Sequence, residues 1–512
     1  MDRPPRESIR LSFTGGYAAL AWTALPLFAL GAALYARTLG YGFLNWDDTY
    51  YVRENPWIRG LSVEHLQAIF TRPVQGGILP VHLLSYALDH ALWGLDPYGY
   101  HLHSVLLNAA NGVLAFWVIA QITARRDMAL AAAVLFTVHP SHVEAVAWIS
   151  ARKDLLSTFF LLLSTAAYLR ARRGAQWDRR ASVASVALFA LGMLSKTTIA
   201  VFPLFFLLLD AVLDARGRAE HRRSFSFHLA TKLPYLAIAA VWVYVNALTQ
   251  VVDPISEKPL AYLLVKSQAA WRYAWLLLGI VPGRPLYDLP PISFQPLVFA
   301  MTLAPLVAAP LVIALAWCRG HPNAALSLGW LVAGMVPPLA FPSIAFMADR
   351  YVYAASLGFC WLLAAGMARA SDLLRVSAIR PAALAILCAA PALWFAAHAW
   401  RYTPVWRDSV SFWLYSAQHS QFGPAWIGLV RTLKEEGRLD DALRAADHAL
   451  ANVDESIATP DLFSRLHAER AEVLWKLERR PEAIAGWERA VEIDPKNFDA
   501  RAKLTRARLG RS

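Results

Sequence analysis

The chain has 512 residues, of which 57% are apolar and 17% charged, with a net charge of +12. Soluble domains average about a quarter charged residues, so a single soluble globule is excluded, and so is a disordered chain. Three cysteines exclude a disulfide framework. In a polytopic membrane protein, excess positive charge commonly comes from basic cytoplasmic loops rather than from nucleic-acid binding.

The charge is unevenly spread. Residues 401–512 hold 35 of the 86 charged residues. A boundary near residue 400 therefore separates a membrane region, 1–400, from a water-soluble tail.

A helix needs about 20 apolar residues to cross the bilayer core. Runs of that kind predict spans near 17–39, 101–121, 128–146, 154–170, 181–195, 197–213, 229–248, 296–317, 323–341, 351–370 and 381–399. Basic residues before the first run and in alternate connections, such as Arg125, Arg126, Arg172, Arg223, Lys232 and Arg375, fall on one side if there are eleven spans. The positive-inside rule then puts the N-terminus in the cytoplasm and the tail outside. A further apolar stretch, 258–280, would reverse this parity if it crossed once. It is expected to lie along the outer interface or to re-enter, with Trp271, Tyr273 and Trp275 as interfacial anchors.

The first outer loop, 40–100, opens with Asn45-Trp46-Asp47-Asp48 and contains two amphipathic stretches, Leu61–Phe70 and Ile78–Trp93. A carboxylate near apolar walls is a candidate general base; the alternative is a helix cap or a solvated pair. His139, His142 and Glu144 end the third span, followed by Arg152, Lys153 and Asp154. Ionisable residues at membrane depth are costly and usually face a cavity. His139 and His142, with Glu144 or Asp47, are candidate ligands of a divalent metal; the other reading is a hydrogen-bond network orienting the loops. Lys196 and Arg350 fall on the same outer face. They suit a lipid phosphate, or snorkel to the interface.

The tail, after a connector over 401–422, carries a 34-residue helix–turn–helix pattern with small residues where helices cross. One copy covers about 423–456, with Ala442, Ala446 and Ala449; another covers 464–497, with Ala471, Ala483 and Ala490. About seven extra residues near 452–463 interrupt the array, and 498–512 supplies a capping helix. Such repeats imply binding more than chemistry.

Asn45-Trp46-Asp47-Asp48, His139-Pro140-x-His142-x-Glu144, Arg152-Lys153-Asp154, Ser195-Lys196, Asp349-Arg350-Tyr351 and the terminal repeats together resemble the transmembrane and tetratricopeptide-repeat O-mannosyltransferases. The resemblance implies an all-α membrane domain of the C-type glycosyltransferase fold with a repeat solenoid outside the membrane. It implies transfer of a sugar, mannose favoured, from a polyprenyl-phosphate carrier to a protein hydroxyl. A carboxylate in the first outer loop then serves the chemistry. This chain departs from the animal members at Thr197, where an acidic residue is usual, in a loose Tyr287-Asp288-Leu289 element, and in having two repeats.

The chemistry needs a base for the acceptor hydroxyl and cations for the departing phosphate. Asp47 or Asp48 suits the first task; Lys196 and Arg350, with Arg272, suit the second. In-line attack through an oxocarbenium-like state inverts the anomeric carbon. Two readings remain beside a protein acceptor: a lipid or envelope-polysaccharide acceptor, and a non-catalytic scaffold presenting the repeats. The expected location is a bacterial inner membrane.

Overall fold

The computed structural model describes residues 16–174, 176–216, 223–249, 258–288, 296–340, 345–374, 376–419, 423–452 and 460–509. Among them every regular element is helical, and the only strand-like contact is an isolated bridge between Val74 and Gly77.

The membrane region begins with α1 (Gly16–Tyr35), α2 (Val63–Thr71), α3 (Pro80–Trp93), α4 (Pro97–Thr123), α5 (Arg126–Thr137) and α6 (Val143–Ala147). It continues through α7 (Arg152–Arg172), α8 (Arg179–Ser195), α9 (Phe202–Arg216), α10 (Phe225–Ala247) and α11 (Pro259–Leu277). The helices α12 (Pro296–Cys318), α13 (Pro322–Ala340), α14 (Tyr353–Asp372) and α15 (Arg380–Tyr402) complete it.

Local sequence sets these boundaries. Asp96 and Asp178 accept the Tyr98 and Ala181 N–H groups, capping α4 and α8, as short acidic side chains do at helix starts. Pro140 cannot continue α5. The chain turns by 50° there and resumes as α6, which brings the His139–Glu144 block inward.

Among the described residues six helices are long and apolar enough to cross a membrane, or seven if the bent α5–α6 pair is one span. The remaining four expected spans are α1, α7, α8 and α12. Charged residues crowd both ends of α7, and α8 has only 17 residues.

Helix α7 packs against α4 and α8, while α5 packs against α4, α14 and α15. Helices α13 and α14 approach backbone to backbone at two glycines. A Cβ on Gly358 would lie 2.4 Å from Leu331 N, and one on Gly334 would lie 2.7 Å from Ala355 Cα. Small residues permit such contact between membrane helices.

Two sequence expectations change here. Lys232 is not a loop cation: it lies buried in α10 and pairs with Asp210 of α9. Asp210 also accepts from Tyr168 and pairs with Arg172, and His228 bridges Asp210 and Asp214. Buried charges must be paired, so these cations lock α7, α9 and α10 together. In 258–280, Tyr273 is fully buried rather than interfacial, and its hydroxyl accepts the Ala348 N–H. Lys266 donates to the carbonyls of Pro338 and Phe346, 3.0 Å each, which pins α11 to the chain leading into Asp349-Arg350.

The tail holds α16 (Ser409–His419), α17 (Gly423–Glu435), α18 (Leu439–Asn452), α19 (Pro460–Lys476), α20 (Arg480–Ile493) and α21 (Phe498–Arg508). Each packs on the next. Ala442, Ala446 and Ala449, and then Ala471, Ala483 and Ala490, are fully buried at the crossings. The α17–α18 and α19–α20 turns both contain a left-handed residue: Gly437 at φ 76° and Glu478 at φ 61°. Part of the expected insertion between the two copies, 453–459, lies outside the described residues.

Candidate functional site

Asp47 and Asp48 are adjacent but have different surroundings. Asp48 is buried, and one carboxylate oxygen accepts the Leu44 N–H at 2.9 Å. The other accepts the Ser150 N–H at 3.0 Å and the Ser150 hydroxyl. Ser150 lies just before α7, so Asp48 staples the first loop to the start of that helix. Burial pushes the Asp48 pKa up to about 6; its hydrogen bonds to Leu44 and Ser150 pull it down, and the Asp47 charge adds to the rise. Asp47 is only half-buried and lies within electrostatic reach of Lys153, Tyr51 and Arg350.

The three cations come from separate stretches. Lys196, at the C-terminal end of α8, lies 2.6 Å from Asp154 and sits 4.8 Å from the centre of the Tyr351 ring. Arg350 lies 5.0 Å from that same ring and 5.0 Å from the Trp148 ring. Its guanidinium pairs with one oxygen of Glu144, and its backbone N–H reaches the other at 2.8 Å. Lys153 donates to the Tyr51 hydroxyl at 3.3 Å and sits 4.6 Å from that ring.

Lys153, Lys196 and Arg350 therefore stand among Asp47, Glu144 and Asp154, with Tyr51, Trp148 and Tyr351 between them. Among the described residues, Lys153 alone of the three donates to a phenol rather than to a carboxylate. Burial holds the Lys196 pKa down at about 8, although Asp154 acts in the opposite direction.

The other expected site residues have different partners. His139 joins the Leu277 carbonyl at 2.9 Å and the Ser141 hydroxyl at 2.8 Å. His142 joins the Ser356 hydroxyl at 2.8 Å. With Glu144 taken by Arg350, the trio expected to bind a metal forms the hydrogen-bond network that was its alternative. Among the described residues no three His, Cys, Asp or Glu side chains converge to hold an ion. Arg152 is fully buried, pairs with Asp89 of α3 and donates to the Tyr100 carbonyl at 2.6 Å. It thus anchors the loop helix α3 beside α7.

Arg272 is not joined to the cation group by any hydrogen bond or ion pair among the described residues. It follows Trp271 and precedes buried Tyr273, so it is turned about 100° from the residue that faces Ala348.

Sequence reasoning missed several participants. Asp89, Tyr51 and Ser150 gave no motif. Tyr287, seen only in a loose element, donates to Asp349. The farthest link is Asn45. Its N–H donates to the Ser409 hydroxyl at 2.9 Å, its amide donates to Thr432 at 2.8 Å, and Trp413 Nε1–H donates to its carbonyl at 2.7 Å. Trp46 stacks on Trp148 with ring centres 4.5 Å apart and packs on Phe412 at 5.0 Å. The two residues before Asp47 thus touch α16 and α17.

Residues 80–245 match the sequence profile of the dolichyl-phosphate-mannose-protein mannosyltransferases. The chain is 32% identical over 215 residues to the protein O-mannosyl-transferase Tmtc2 of Drosophila melanogaster, covering 40% of this chain and 23% of that protein. It is 34% identical over 171 residues to Drosophila Tmtc1, covering 32% and 20%. Human TMTC2 is 33% identical over 150 residues, covering 28% and 18%. The matches span less than a quarter of these relatives.

The apolar helices and the matches define an integral membrane protein related to glycosyltransferases. Within that class, the matched part of the chain is similar to the protein O-mannosyl-transferases. The matched profile includes the His139–Lys196 part of the site but stops short of Asp47 and Arg350 on either side.

Proposed function

We propose that the chain transfers a sugar, mannose favoured, from a polyprenyl-phosphate donor to a hydroxyl of a protein acceptor on the extracytoplasmic side. The observation that carries this reading is the meeting of Asp47 with Lys153, Lys196 and Arg350, four residues from four separate stretches. Asp47 takes the acceptor proton as the new C–O bond forms. The anomeric carbon–phosphate oxygen bond breaks, and polyprenyl phosphate leaves with the electron pair. Lys196 and Arg350, joined by Lys153, stabilise its charge. Asp48 positions the loop and takes no proton from the acceptor.

In this reading the chain crosses the membrane eleven times, with the N-terminus inside and the helices after residue 400 outside as tetratricopeptide-type repeats that engage the acceptor. A lipid donor then reaches the outer-face site laterally from the bilayer. The purified protein, given labelled polyprenyl-phosphate-mannose and an acceptor peptide, should release polyprenyl phosphate and label the peptide. Failure of wild-type protein to turn over, with donor and acceptor in excess, would leave the scaffold reading. Mass spectrometry of surface proteins from a deletion strain should show lost hexosylation. Unchanged proteins with altered surface lipid or polysaccharide would move the acceptor to that class.

A further inference from the structure

The segment that leaves α11 runs through Gly283 and Tyr287 between the tail and the stretch that opens α14. The Arg284 guanidinium donates to the His419 carbonyl of α16 at 2.9 Å, and the Tyr415 hydroxyl donates to the Gly283 carbonyl at 3.4 Å. On its other side the segment meets Asp349. Tyr287 donates its phenol to Asp349 Oδ1. Gly283 lies so close that a Cβ there would stand 2.2 Å from Asp349 Oδ2 and 2.6 Å from the Tyr402 ring. Glycine is what permits that approach.

Asp349 is fully buried and directly precedes Arg350, the cation assigned above to the donor phosphate. Two buried carboxyl groups, Glu144 and Asp349, thus stand within electrostatic reach of one guanidinium. Glu144 takes it, with one oxygen on the guanidinium and the other on the Arg350 N–H at 2.8 Å. Among the described residues no ion pair joins Asp349 to Arg350. A buried carboxylate is costly unless it is paired or hydrogen-bonded, so Asp349 without another partner would turn to that cation. Tyr287 supplies the other partner. Burial and the Glu144 charge push the Asp349 pKa up, and the Tyr287 hydrogen bond pulls it down, which favours the ionised carboxyl. The phenol therefore holds this carboxylate towards the 283–287 segment and leaves the Arg350 charge offset by Glu144 alone. A second carboxylate on Arg350 would cancel the charge that a departing phosphate needs.

We propose that Tyr287 is a positioning residue for donor binding: through Asp349 it keeps Arg350 available to the donor phosphate. The inference rests on the donor reading given above and adds the segment that protects one of its cations. The tail helix α16 holds that segment in place through Arg284 and Tyr415.

The experiment uses the full chain in detergent micelles. Labelled polyprenyl phosphate reads binding, and labelled polyprenyl-phosphate-mannose with an acceptor peptide reads turnover. Tyr287→Phe keeps the ring and removes the hydrogen bond. It should weaken polyprenyl-phosphate binding and raise KM for the donor about ten-fold or more, with kcat within about three-fold of wild type. Gly283→Ala drives the segment off Asp349 from the backbone side and should do the same. Asp349→Asn removes the competing charge. By itself it should bind within about three-fold of wild type, and combined with Tyr287→Phe it should restore the affinity that Tyr287→Phe loses. A segment that is merely loosened gives no such rescue. Affinity within about two-fold of wild type in both Tyr287→Phe and Gly283→Ala would overturn the proposal. So would an about ten-fold loss in Asp349→Asn alone, or a double variant as weak as Tyr287→Phe. Any of these results beside normal binding and turnover in wild type rejects the role of Tyr287 alone. Absence of both in wild type rejects the donor reading, and this role with it.

Discussion

Lys196 and Asp154 form a 2.6 Å ion pair that joins the end of α8 to the first turn of α7. The carboxylate holds the ammonium beside the Tyr351 ring, which Arg350 also approaches, so the pair sets the distance between two cations that otherwise repel each other. A charge-assisted contact is worth about 1.5–3 kcal/mol. Lys196→Gln is therefore expected to weaken donor use about ten- to hundred-fold, seen as a raised KM for the polyprenyl-phosphate sugar.

The same lysine gives a pH dependence. Its pKa is held down at about 8, below the ordinary lysine value. Donor binding uses the charged form, so KM should be flat near pH 7 and rise as pH passes upward through about 8. Lys196→Arg keeps its charge over this range and should flatten the rise. A rise of equal size in the arginine variant would assign it to another group.

Asp47 and Asp48 should separate in a paired substitution. Asp47→Asn should lower kcat about a hundred-fold or more with little change in Tm, because Asp47 is half-buried. Asp48→Asn replaces an acceptor oxygen with an NH2 facing Leu44 or Ser150, so Tm and turnover should fall together. The raised Asp48 pKa also fixes a sign. Between about pH 4 and 6 the folded protein binds more protons at this carboxyl than the unfolded chain, so its contribution to stability falls as pH rises. A displacement from 3.8 to about 6 corresponds to roughly 3 kcal/mol. Thermal unfolding from pH 4 to 7 should show that component in wild type and lose it in Asp48→Asn.

The buried Arg152–Asp89 pair predicts a stability effect. Both side chains are fully buried, and removal of one partner leaves an uncompensated charge. Breaking such a pair costs about 3–5 kcal/mol. Asp89→Ala should lower Tm sharply and release α3, whereas Asp89→Glu should retain part of the anchor. Limited proteolysis between α2 and α4 reads the difference.

The parts that were legible in the sequence are those whose cause is local. Most of the apolar runs and the small residues at Ala442 and Ala483 follow from short-range pattern, and the structure forms helices or packs at those places, but the expected span 128–146 bends by 50° at Pro140. Partner choice was not legible. Nothing near Lys232 indicates that Asp210 would draw it inside, and nothing in Tyr273 distinguishes a buried acceptor from an interfacial anchor. The separate surroundings of Asp47 and Asp48 depend on Ser150, about a hundred positions away. Glu144 resembled a metal ligand until Arg350, 206 positions on, is seen to occupy it.

The last expectation concerns Asn45, which carries the contact between the first loop and the tail. Its three polar groups all have partners in 409–432: the N–H on Ser409, the amide on Thr432, and the carbonyl under Trp413 Nε1–H. Two positions later stands Asp47, and no regular helix separates them. Loss of these bonds should leave the loop free to move while the Asp48–Ser150 staple still holds its far side. Trp413→Phe removes one donor and keeps the aromatic packing on Trp46 and Phe412. It should reduce kcat by about two- to ten-fold, the worth of one neutral hydrogen bond, with KM for the lipid donor unchanged because the phosphate cations lie elsewhere. Asn45→Ala removes the side-chain bonds to Thr432, Glu435 and Trp413 together and should have a larger effect. Hydrogen exchange of residues 42–53 supplies a readout that needs no turnover: exchange there should quicken in both variants while α7 stays protected. If exchange in the loop is unchanged in Asn45→Ala, the contact does not order the loop, and the tail touches Asp47's segment without influencing it.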